Sequence, residues 1–303
     1  MRIVSLLPSA TEIVCALGLG DALVGISHDC DYPAEVLDRR VLSTALVDPS
    51  QPSAAIDAAV RDRVHRGTSV YHLDAAGLEA LRPDLILTQE LCEVCAPSFT
   101  EVRRAARVLE GRTRLVSLEP LGLDDILDTI ALVGDLTGAA RTARALVSDL
   151  RARIEAVRRL PPPEPRPRVL CVEWLDPLFV AGHWVPEMVA IAGGEDGLGR
   201  PRASSVTVPW EAVVAYAPEL IVLMPCGFDL ERTRAEAPLL ARRPGWDALP
   251  AVRAGRVYAT DGSAYFNRPG PRVVGGLEIL AALVREGGGP PRAEGVVRLD
   301  AAA

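Results

Sequence analysis

Apolar residues recur at helical spacing over residues 139–160, close to the middle of the chain. They follow the i, i+4, i+7 spacing of a single helix face, while arginines and aspartate occupy the other faces. The pattern predicts one amphipathic helix of about 33 Å, because each residue adds ~1.5 Å to a helix. A proline-dense segment, PPPEPRP, ends this helix at 161–167, since proline lacks the backbone donor that a helix needs. The apolar positions are Ala143, Val147, Leu150, Ile154 and Val157.

The chain on either side of this helix partly repeats itself. Apolar runs at 2–6 and 168–172 have the composition of buried strands, and each precedes a helix that ends in glycine and an acid. Segments 78–89 and 210–225 both show a short helix, a Pro-acid turn and a buried strand. This order predicts an α/β fold of two doubly wound lobes joined by one long helix. The expected parts are an N-terminal lobe at 1–138, a bridging helix and linker at 139–167, a C-terminal lobe at 168–287 and a loose tail at 288–303.

Composition narrows the possible functions. A chain of 303 residues with 49% hydrophobic and 24% charged residues is typical of a globular protein with ample core. The net charge of -7 argues against a nucleic-acid partner, which would need a basic surface. All 33 basic residues are arginine, and this excludes chemistry that requires a lysine, such as a pyridoxal Schiff base or a P-loop.

The chain as written shows no signal for a membrane or for export. No apolar run approaches the roughly 18 residues that a membrane helix requires, so we expect no membrane insertion. The first strand begins at residue 2 without a preceding leader, which predicts a cytoplasmic location. A periplasmic or extracellular location would require a start codon further upstream. The six cysteines are sparse for the length and favour reduced thiols over a disulfide framework.

A turn at Pro8 and Ser9 begins the first predicted helix. Ser9 or Thr11 is the expected N-cap, with Glu12 in the first turn. Backbone donors at such a helix start can hold an anionic or carbonyl group of a ligand. A plain helix cap with no ligand is the alternative, and the spacing alone does not exclude it.

Polar residues follow two further strands of the first lobe. His28 and Asp29 open the loop HDCDYP at 28–33, and Gln89 and Glu90 follow the strand predicted at 85–88. In α/β proteins, ligands bind outside the carboxyl ends of the strands. We therefore expect these residues to contribute to a ligand site.

The pair Cys92 and Cys95 forms a C-x-x-C motif in the loop after that strand. Zinc sites usually have a second such pair, which this chain lacks, but His28 and Cys30 could complete four ligands if the two strands are neighbours. The predicted ligands of this zinc or other transition-metal site are therefore His28, Cys30, Cys92 and Cys95. A thiol pair that faces a ligand, a thioredoxin-like redox pair and incidental loop cysteines are the alternatives.

Aromatic residues cluster after the strands of the second lobe, although only 4% of the chain is aromatic. Trp174 and His183 lie after the strand at 168–172, and Phe228 follows the strand at 220–224. Tyr265, Phe266 and Arg268 come after the strand at 257–260. Loops of this kind suit a flat, partly apolar ligand. The alternative is that some of these aromatic residues belong to the core.

Several motifs together resemble those of the vitamin B12-binding proteins of ABC import systems. They are RIVSLLPSATEIVCALGLGDALVGISHDCDYP, LRPDLILTQ, VPWEAV, APELIVL and AYFNRPGPR, in that order along nearly the whole chain. These proteins belong to the class III periplasmic-binding-protein-like family, which also includes siderophore and haem binders. The resemblance implies the same two-lobed fold, also known as the chelatase-like fold or the helical backbone metal receptor fold. It further implies a cobalamin or another corrinoid as the ligand, held in a cleft between the lobes.

The resemblance also implies particular residues. In the first lobe they are Pro8, Ser9, His28, Asp29, Gln89 and Glu90, and in the second lobe Trp174, Trp210, Tyr265, Phe266 and Arg268. His28 or a thiolate could in addition ligate cobalt. Docking to the permease of an ABC transporter would use one acidic residue per lobe, and Glu101 and Glu231 lie at the corresponding places.

Two departures from the family pattern widen the functional hypotheses. The missing leader indicates a cytoplasmic branch that stores, senses or passes on its ligand, and the cysteine content exceeds what importers usually show. We expect a binding protein for a corrinoid rather than an enzyme. The alternatives are a metal- or thiol-dependent enzyme on the same scaffold, which would use His28, Cys30, Cys92 and Cys95, and a non-catalytic binder of a metal or haem.

Overall fold

A computed structural model describes residues 1–89, 102, 113–285 and 294–299 of the chain. The chain divides into two compact units. Unit 1 consists of Met1–Pro120 and Asp125–Ser148, and unit 2 consists of Leu121–Asp124 and Asp149–Ala303. The division runs through the predicted bridging helix, so the first half of this helix belongs to unit 1 and the second half to unit 2.

Unit 1 is built on a parallel sheet. Its strands are β1 (Ile3–Ser5), β2 (Leu23–Ile26), β3 (Arg40–Val41), β4 (Ser43–Ala45), β5 (Tyr71–Leu73), β6 (Leu85–Thr88) and β7 (Arg114–Ser117). Within the described residues, five of them form a sheet in the order β3-β2-β1-β6-β7, and every neighbouring pair in it is parallel. Strands β4 and β5 form a separate antiparallel pair. The central strands β1 and β6 are buried at every position, as expected when helices cover both faces of a parallel sheet.

Five helices whose bounds lie within the described residues belong wholly or partly to unit 1. They are α1 (Pro8–Ala16), α2 (Ser53–His65), α3 (Ala75–Leu81), α4 (Leu123–Thr137) and α5 (Ala140–Arg158), with short 3-10 turns at Gly20–Ala22 and Ala34–Val36. A hydrophobic core joins Val4 and Ile86 of the sheet with Leu78 of α3 and with Leu42. Helix α5 is the bridging helix, and its predicted apolar positions are all buried.

Unit 2 is built on a mixed sheet with a parallel centre. Its strands are β8 (Val169–Trp174), β9 (Phe179–Val180), β10 (Val206–Thr207), β11 (Leu220–Leu223), β12 (Val257–Thr260) and β13 (Val296–Arg298). The order is β10-β9-β8-β11-β12-β13. Strands β8, β11 and β12 are parallel, whereas β9, β10 and β13 run antiparallel to their neighbours.

The helices of unit 2 vary in length. They are α6 (Val185–Ala192), α7 (Trp210–Tyr216), α8 (Leu230–Glu236), α9 (Pro238–Ala241), α10 (Pro250–Arg253), α11 (Gly262–Tyr265) and α12 (Val273–Arg285), with a 3-10 turn at Trp246–Ala248. The second half of α5 is tied to α12 by a bidentate ion pair, in which Arg153 donates to both oxygens of Glu278 at 2.9 and 2.8 Å.

The prediction that 288–303 form a loose tail was wrong for part of this segment. Within 288–303, strand β13 adds to the edge of the unit 2 sheet and pairs Val296 with Thr260 and Arg298 with Tyr258. Two adjacent valines provide the β-branched residues that a strand favours, and the free edge of β12 provides the backbone partners. A pattern of three residues is too short to predict a strand.

None of the helices in the described residues combines the length and the apolar composition that a membrane span requires.

Candidate ligand-binding site

The carboxyl ends of β1, β2 and β6 lie side by side in the unit 1 sheet. From β1 the chain adds β2 and β3 on one side of the sheet, and it then adds β6 and β7 on the other side of β1. The direction in which successive strands are added therefore reverses between β1 and β6. Such a reversal opens a crevice at the carboxyl ends, where α/β proteins bind ligands. Pro8, His28 and Gln89 each come within three residues of the end of one of these strands, and the sheet therefore brings the three predicted segments to one edge.

Helix α1 begins two residues earlier than a cap at Ser9 would place it, and four earlier than a cap at Thr11. Its N-cap is Leu7, and Pro8 occupies the first helical turn, where its missing N–H costs nothing. The prediction that Ser9 or Thr11 caps the helix was wrong, because both lie inside the helix. Ser9 is buried, and the Thr11 hydroxyl donates to Ser5 Oγ at 2.8 Å.

His28 is held on two sides after strand β2. Its backbone N–H donates to Ser43 Oγ at 3.1 Å, and its ring Nδ1 lies 2.7 Å from the same hydroxyl. The ring packs at 5.1 Å from the ring of Tyr71, and Nε2 lies 3.5 Å from Asp29 Oδ1. Strands β4 and β5 thus position the imidazole, a role for Ser43 and Tyr71 that no sequence pattern indicated.

Cys30, a predicted metal ligand, has its thiol in a buried chain of hydroxyl groups. Its Sγ lies 3.0 Å from Thr11 Oγ1 and 3.2 Å from Ser27 Oγ, and only 3% of the residue is exposed. Cys92 and Cys95 lie outside the described residues. In the part of the chain that is described, no three His, Cys, Asp or Glu residues cluster in a way that could hold a metal ion. His28 and Cys30 have different hydrogen-bond partners, and the predicted four-ligand metal site stays a prediction because its other two residues lie outside the described ones.

The remaining unit 1 predictions concern the loop after β6. Gln89 is 7% exposed at the end of the strand. Glu90 and the proposed docking residue Glu101 both lie outside the described residues.

In unit 2, the carboxyl ends of β8, β11 and β12 also lie side by side. Trp174 ends β8 and is half-buried, with its ring 5.2 Å from the ring of Phe228 in the loop after β11. The guanidinium of Arg232 in α8 lies 3.9 Å from the centroid of the Phe228 ring. Arg232 also pairs with Glu236 at 3.2 Å. Arg232, in the first turn of α8, was not predicted.

Three of the predicted aromatic residues belong to the interior. Phe266 is 1% exposed and Phe228 is 2% exposed, and Trp210 is part of the same hydrophobic core as Phe228. The indole N–H of Trp210 donates to Pro244 O at 2.7 Å, and its ring stacks on Trp246 at 6.2 Å. In a chain with few aromatic residues the core uses most of them, and the predicted contact of these three rings with a ligand stays a prediction.

Other predicted residues of unit 2 keep a partly exposed side chain: Trp174, His183, Tyr265 and Arg268. His183 has a positive φ of 52° and is held by its neighbours, since its N–H donates to Ala203 O at 2.6 Å and its carbonyl accepts from Arg202 at 2.8 Å. Burial lowers the pKa of the His183 imidazole. Burial raises the pKa of the Asp261 carboxyl, and the charge of the nearby Arg268 partly opposes this effect.

A buried carboxyl group stands next to Trp174. Burial raises the pKa of Glu173, whose side chain accepts hydrogen bonds from Ser205 and from the Gly182 N–H at 3.4 Å. A side chain at Gly182 would meet Ala203 O at 2.4 Å, so glycine allows the chain at Gly182 to pack against 203–205. Glu173 thus joins the loop before α6 to the segment before β10.

These features define an α/β protein with two sheets whose carboxyl ends present polar and aromatic side chains. The chain matches the family model described as periplasmic binding protein over residues 3–264, and it belongs to that family. The family match and the relatives confirm the resemblance inferred from the motifs, and the solved structures of the family confirm the predicted fold class.

Several known proteins align with most of the chain. The chain is 26% identical over 287 residues to an uncharacterised ABC transporter substrate-binding lipoprotein of Bacillus subtilis, with 92% of this chain and 78% of the relative covered. It is 24% identical over 287 residues to the vitamin B12-binding protein of Vibrio cholerae, with 94% and 89% covered. The crystal structure of a periplasmic haem-binding protein from Pseudomonas aeruginosa superposes with a TM-score of 0.69 at 24% identity, covering 98% of this chain and 97% of that chain.

Proposed function

We propose that this protein binds cobalamin or a related corrinoid through side chains at the carboxyl ends of its two sheets. Its family consists of solute-binding proteins, and a relative that aligns with 94% of this chain is named vitamin B12-binding protein. The similarity to a haem-binding structure supports a shared fold, and the choice between the two ligands therefore depends on the chemistry of the site.

The half-buried ring of Trp174 carries the proposal. It stands at the carboxyl end of β8 and is supported by Phe228, so it offers a flat apolar surface that is fixed in place. A corrin is a wide ring whose rim bears neutral amide groups. An aromatic surface holds such a ring, while a few polar groups pair with the amides and set its orientation.

Unit 1 supplies both hydrogen-bond donors and hydrogen-bond acceptors. His28 and Asp29 follow β2, and the amide of Gln89 follows β6. An amide rim contains donors and acceptors in equal measure, so a carboxylate, an imidazole and an amide can all pair with it without a net charge on the ligand.

Haem is the second candidate. The observation in its favour is the His28 imidazole, because a protein nitrogen often ligates haem iron. Haem also carries two anionic propionates, which would require cations as partners, whereas the polar residues named in unit 1 include the carboxylate of Asp29.

Docking to the permease of an ABC transporter is the proposed partner interaction. Glu231 lies exposed in the first turn of α8, where a partner arginine could reach it. The expected cytoplasmic location stays a prediction.

Titration calorimetry with cyanocobalamin and with haemin tests the proposal. We expect saturable binding of one cyanocobalamin per chain. The Trp174→Ala variant should bind about 30-fold more weakly, because loss of a central aromatic residue commonly costs ~2 kcal/mol.

Trp174→Phe is the matched control, since it keeps an aromatic face, and its affinity should stay within about threefold of the wild type. Circular dichroism verifies that both variants are folded. No saturable binding of cyanocobalamin, or equal affinities of a folded Trp174→Ala variant and the wild type, would contradict the proposal.

A further inference from the structure

The two ring nitrogens of His28 have different surroundings. Nδ1 lies 2.7 Å from Ser43 Oγ, within the range of a strong hydrogen bond. Nε2 lies 3.5 Å from Asp29 Oδ1, which is longer than the roughly 2.7–3.2 Å of a good N–H···O bond. The His28 side chain is 22% exposed. Nε2 is therefore the ring nitrogen that remains available to a ligand.

The hydroxyl of Ser43 determines which nitrogen carries the proton. Ser43 is 4% exposed, and its Oγ already accepts the backbone N–H of His28 at 3.1 Å. In the described part of the chain, the hydroxyl hydrogen-bonds to these two atoms of His28. A hydroxyl has one proton to donate and two lone pairs to accept with.

Only one arrangement of protons satisfies every group. If Nδ1 carried the hydrogen, Ser43 Oγ would accept two bonds, and its own buried proton would lack an acceptor, which is unfavourable. If Ser43 donates to Nδ1, the backbone N–H, the hydroxyl and Nδ1 are all paired. The neutral ring then carries its hydrogen on Nε2.

We infer that His28 acts as a hydrogen-bond donor through Nε2–H to a carbonyl or carboxylate oxygen of the ligand, and that it does not coordinate the ligand's metal. Ligation requires the Nε2 lone pair, and a switch of tautomer would leave the Ser43 proton unpaired. Ser43 is thus a positioning residue that fixes the tautomer. The inference rests on the proposed function. It adds that His28 contacts an acceptor oxygen at the edge of the ligand's ring and not the metal ion at its centre.

Nitrogen NMR of the histidine rings measures the tautomer without any ligand. The chain has four histidines, and the signals of His28 are those that disappear in His28→Gln. At about pH 9, where free imidazole is neutral, we expect the wild type to show a protonated Nε2 and an unprotonated Nδ1 at His28. In Ser43→Ala the two tautomers should mix. A protonated Nδ1 in the wild type would overturn the inference.

Diaquocobinamide tests the role in binding, because both of its axial positions exchange freely. When imidazole is added to free diaquocobinamide, the visible spectrum changes. We expect the spectrum of the protein-bound probe not to show this change. Loss of the donor in His28→Ala should weaken binding by about 5- to 30-fold. His28→Gln, which offers an amide N–H at a similar place, should stay within about threefold of the wild type.

The outcomes separate this inference from the proposed function. If the wild type does not bind the probe, the proposed function fails. If it binds with an imidazole-type spectrum that disappears in His28→Ala, the function stands and the donor role of His28 is wrong. Equal affinities of folded His28→Ala and the wild type would likewise contradict the donor role.

Discussion

The thiol of Cys30 and three hydroxyl groups form a continuous buried chain in unit 1. Ser27 and Thr11 contact the thiol, Thr11 donates to Ser5, and Ser5 donates to Leu7 O. The chain connects the ends of β1 and β2 with the first turn of α1. It therefore fixes Pro8 and His28 relative to each other, because each buried polar group depends on the next for its partner.

Glu173 of unit 2 is a second residue with an unusual environment. Burial raises its carboxyl pKa, and the hydrogen bonds from Ser205 and Gly182 only partly oppose this effect. A carboxyl whose pKa is higher in the folded state favours folding at low pH, and that contribution is lost as the pH rises through the folded pKa. At neutral pH the charged form of Glu173 therefore destabilises the folded protein.

Removal of this charge should stabilise the protein at high pH. We expect Glu173→Gln to have a higher free energy of unfolding than the wild type at pH 8, because the amide is uncharged and its oxygen can still accept the Gly182 N–H. The advantage should shrink toward pH 4, where the wild-type carboxyl is protonated. Urea unfolding at both pH values measures the difference.

Glu211→Gln, at an exposed position in α7, is the control and should change the stability by less than about 0.5 kcal/mol at either pH. A Glu173→Gln variant less stable than the wild type at pH 8 would show that the charge is stabilised by its surroundings.

The sequence pattern predicted the segments of the site but not the contacts that their residues make. It placed His28, Asp29, Gln89 and Trp174 after strands, and the structure agrees. Ser43 and Arg232 were missed, and Trp210, Phe228 and Phe266 were assigned to a ligand surface although they are buried. Burial and hydrogen bonding depend on contacts between residues far apart in the chain, and no local pattern encodes them.

At the scale of elements, helix α5 shows how far periodicity alone reaches. Its predicted range of 139–160 exceeds the observed helix by one residue at the start and two at the end. The predicted apolar face is buried, with Ala143, Leu150 and Ile154 all at most 6% exposed. Long amphipathic helices are predicted well because many residues report the same period.

The buried face of α5 should dominate its contribution to stability. We expect Ile154→Ala to lower the free energy of unfolding by about 2–5 kcal/mol, because it removes buried methyl groups and leaves a cavity. Arg144→Ala, on the exposed face, should change it by less than about 0.5 kcal/mol. Urea unfolding followed by circular dichroism compares the two. Equal effects of the two substitutions would show that the helix is not packed through its apolar face.

Short elements were predicted less well than long ones. Strands β9 and β13 have two and three residues, and neither has enough positions to show an alternating pattern. Strand β9 lies between β8 and the edge strand β10 and is antiparallel to both, and β13 forms the opposite, antiparallel edge next to β12. Their positions follow from the neighbouring strands that offer free backbone groups, which is information from the tertiary fold.

At the scale of the whole molecule, the two sheets share a common centre. Strands β1, β6 and β7 in unit 1 match β8, β11 and β12 in unit 2 in order and direction. The sheets differ at their flanks. Unit 1 continues with parallel strands β2 and β3, whereas unit 2 continues with the antiparallel strands β9 and β10. The internal repeat in the sequence predicted the shared centre, and the flanks diverge where the repeat fades.

The central claim at this scale is that the ligand is a corrinoid. A site whose polar groups include the carboxylate of Asp29 should prefer a neutral, amide-rimmed ring to an anionic one, because like charges next to each other are unfavourable. The two rings are of similar size, so this preference rests on polarity and not on shape.

Native mass spectrometry of the protein with equal amounts of cyanocobalamin and haemin tests this preference directly. We predict a single adduct whose mass equals one protein chain plus one cyanocobalamin. A haem adduct in its place, or the free protein alone, would contradict the account.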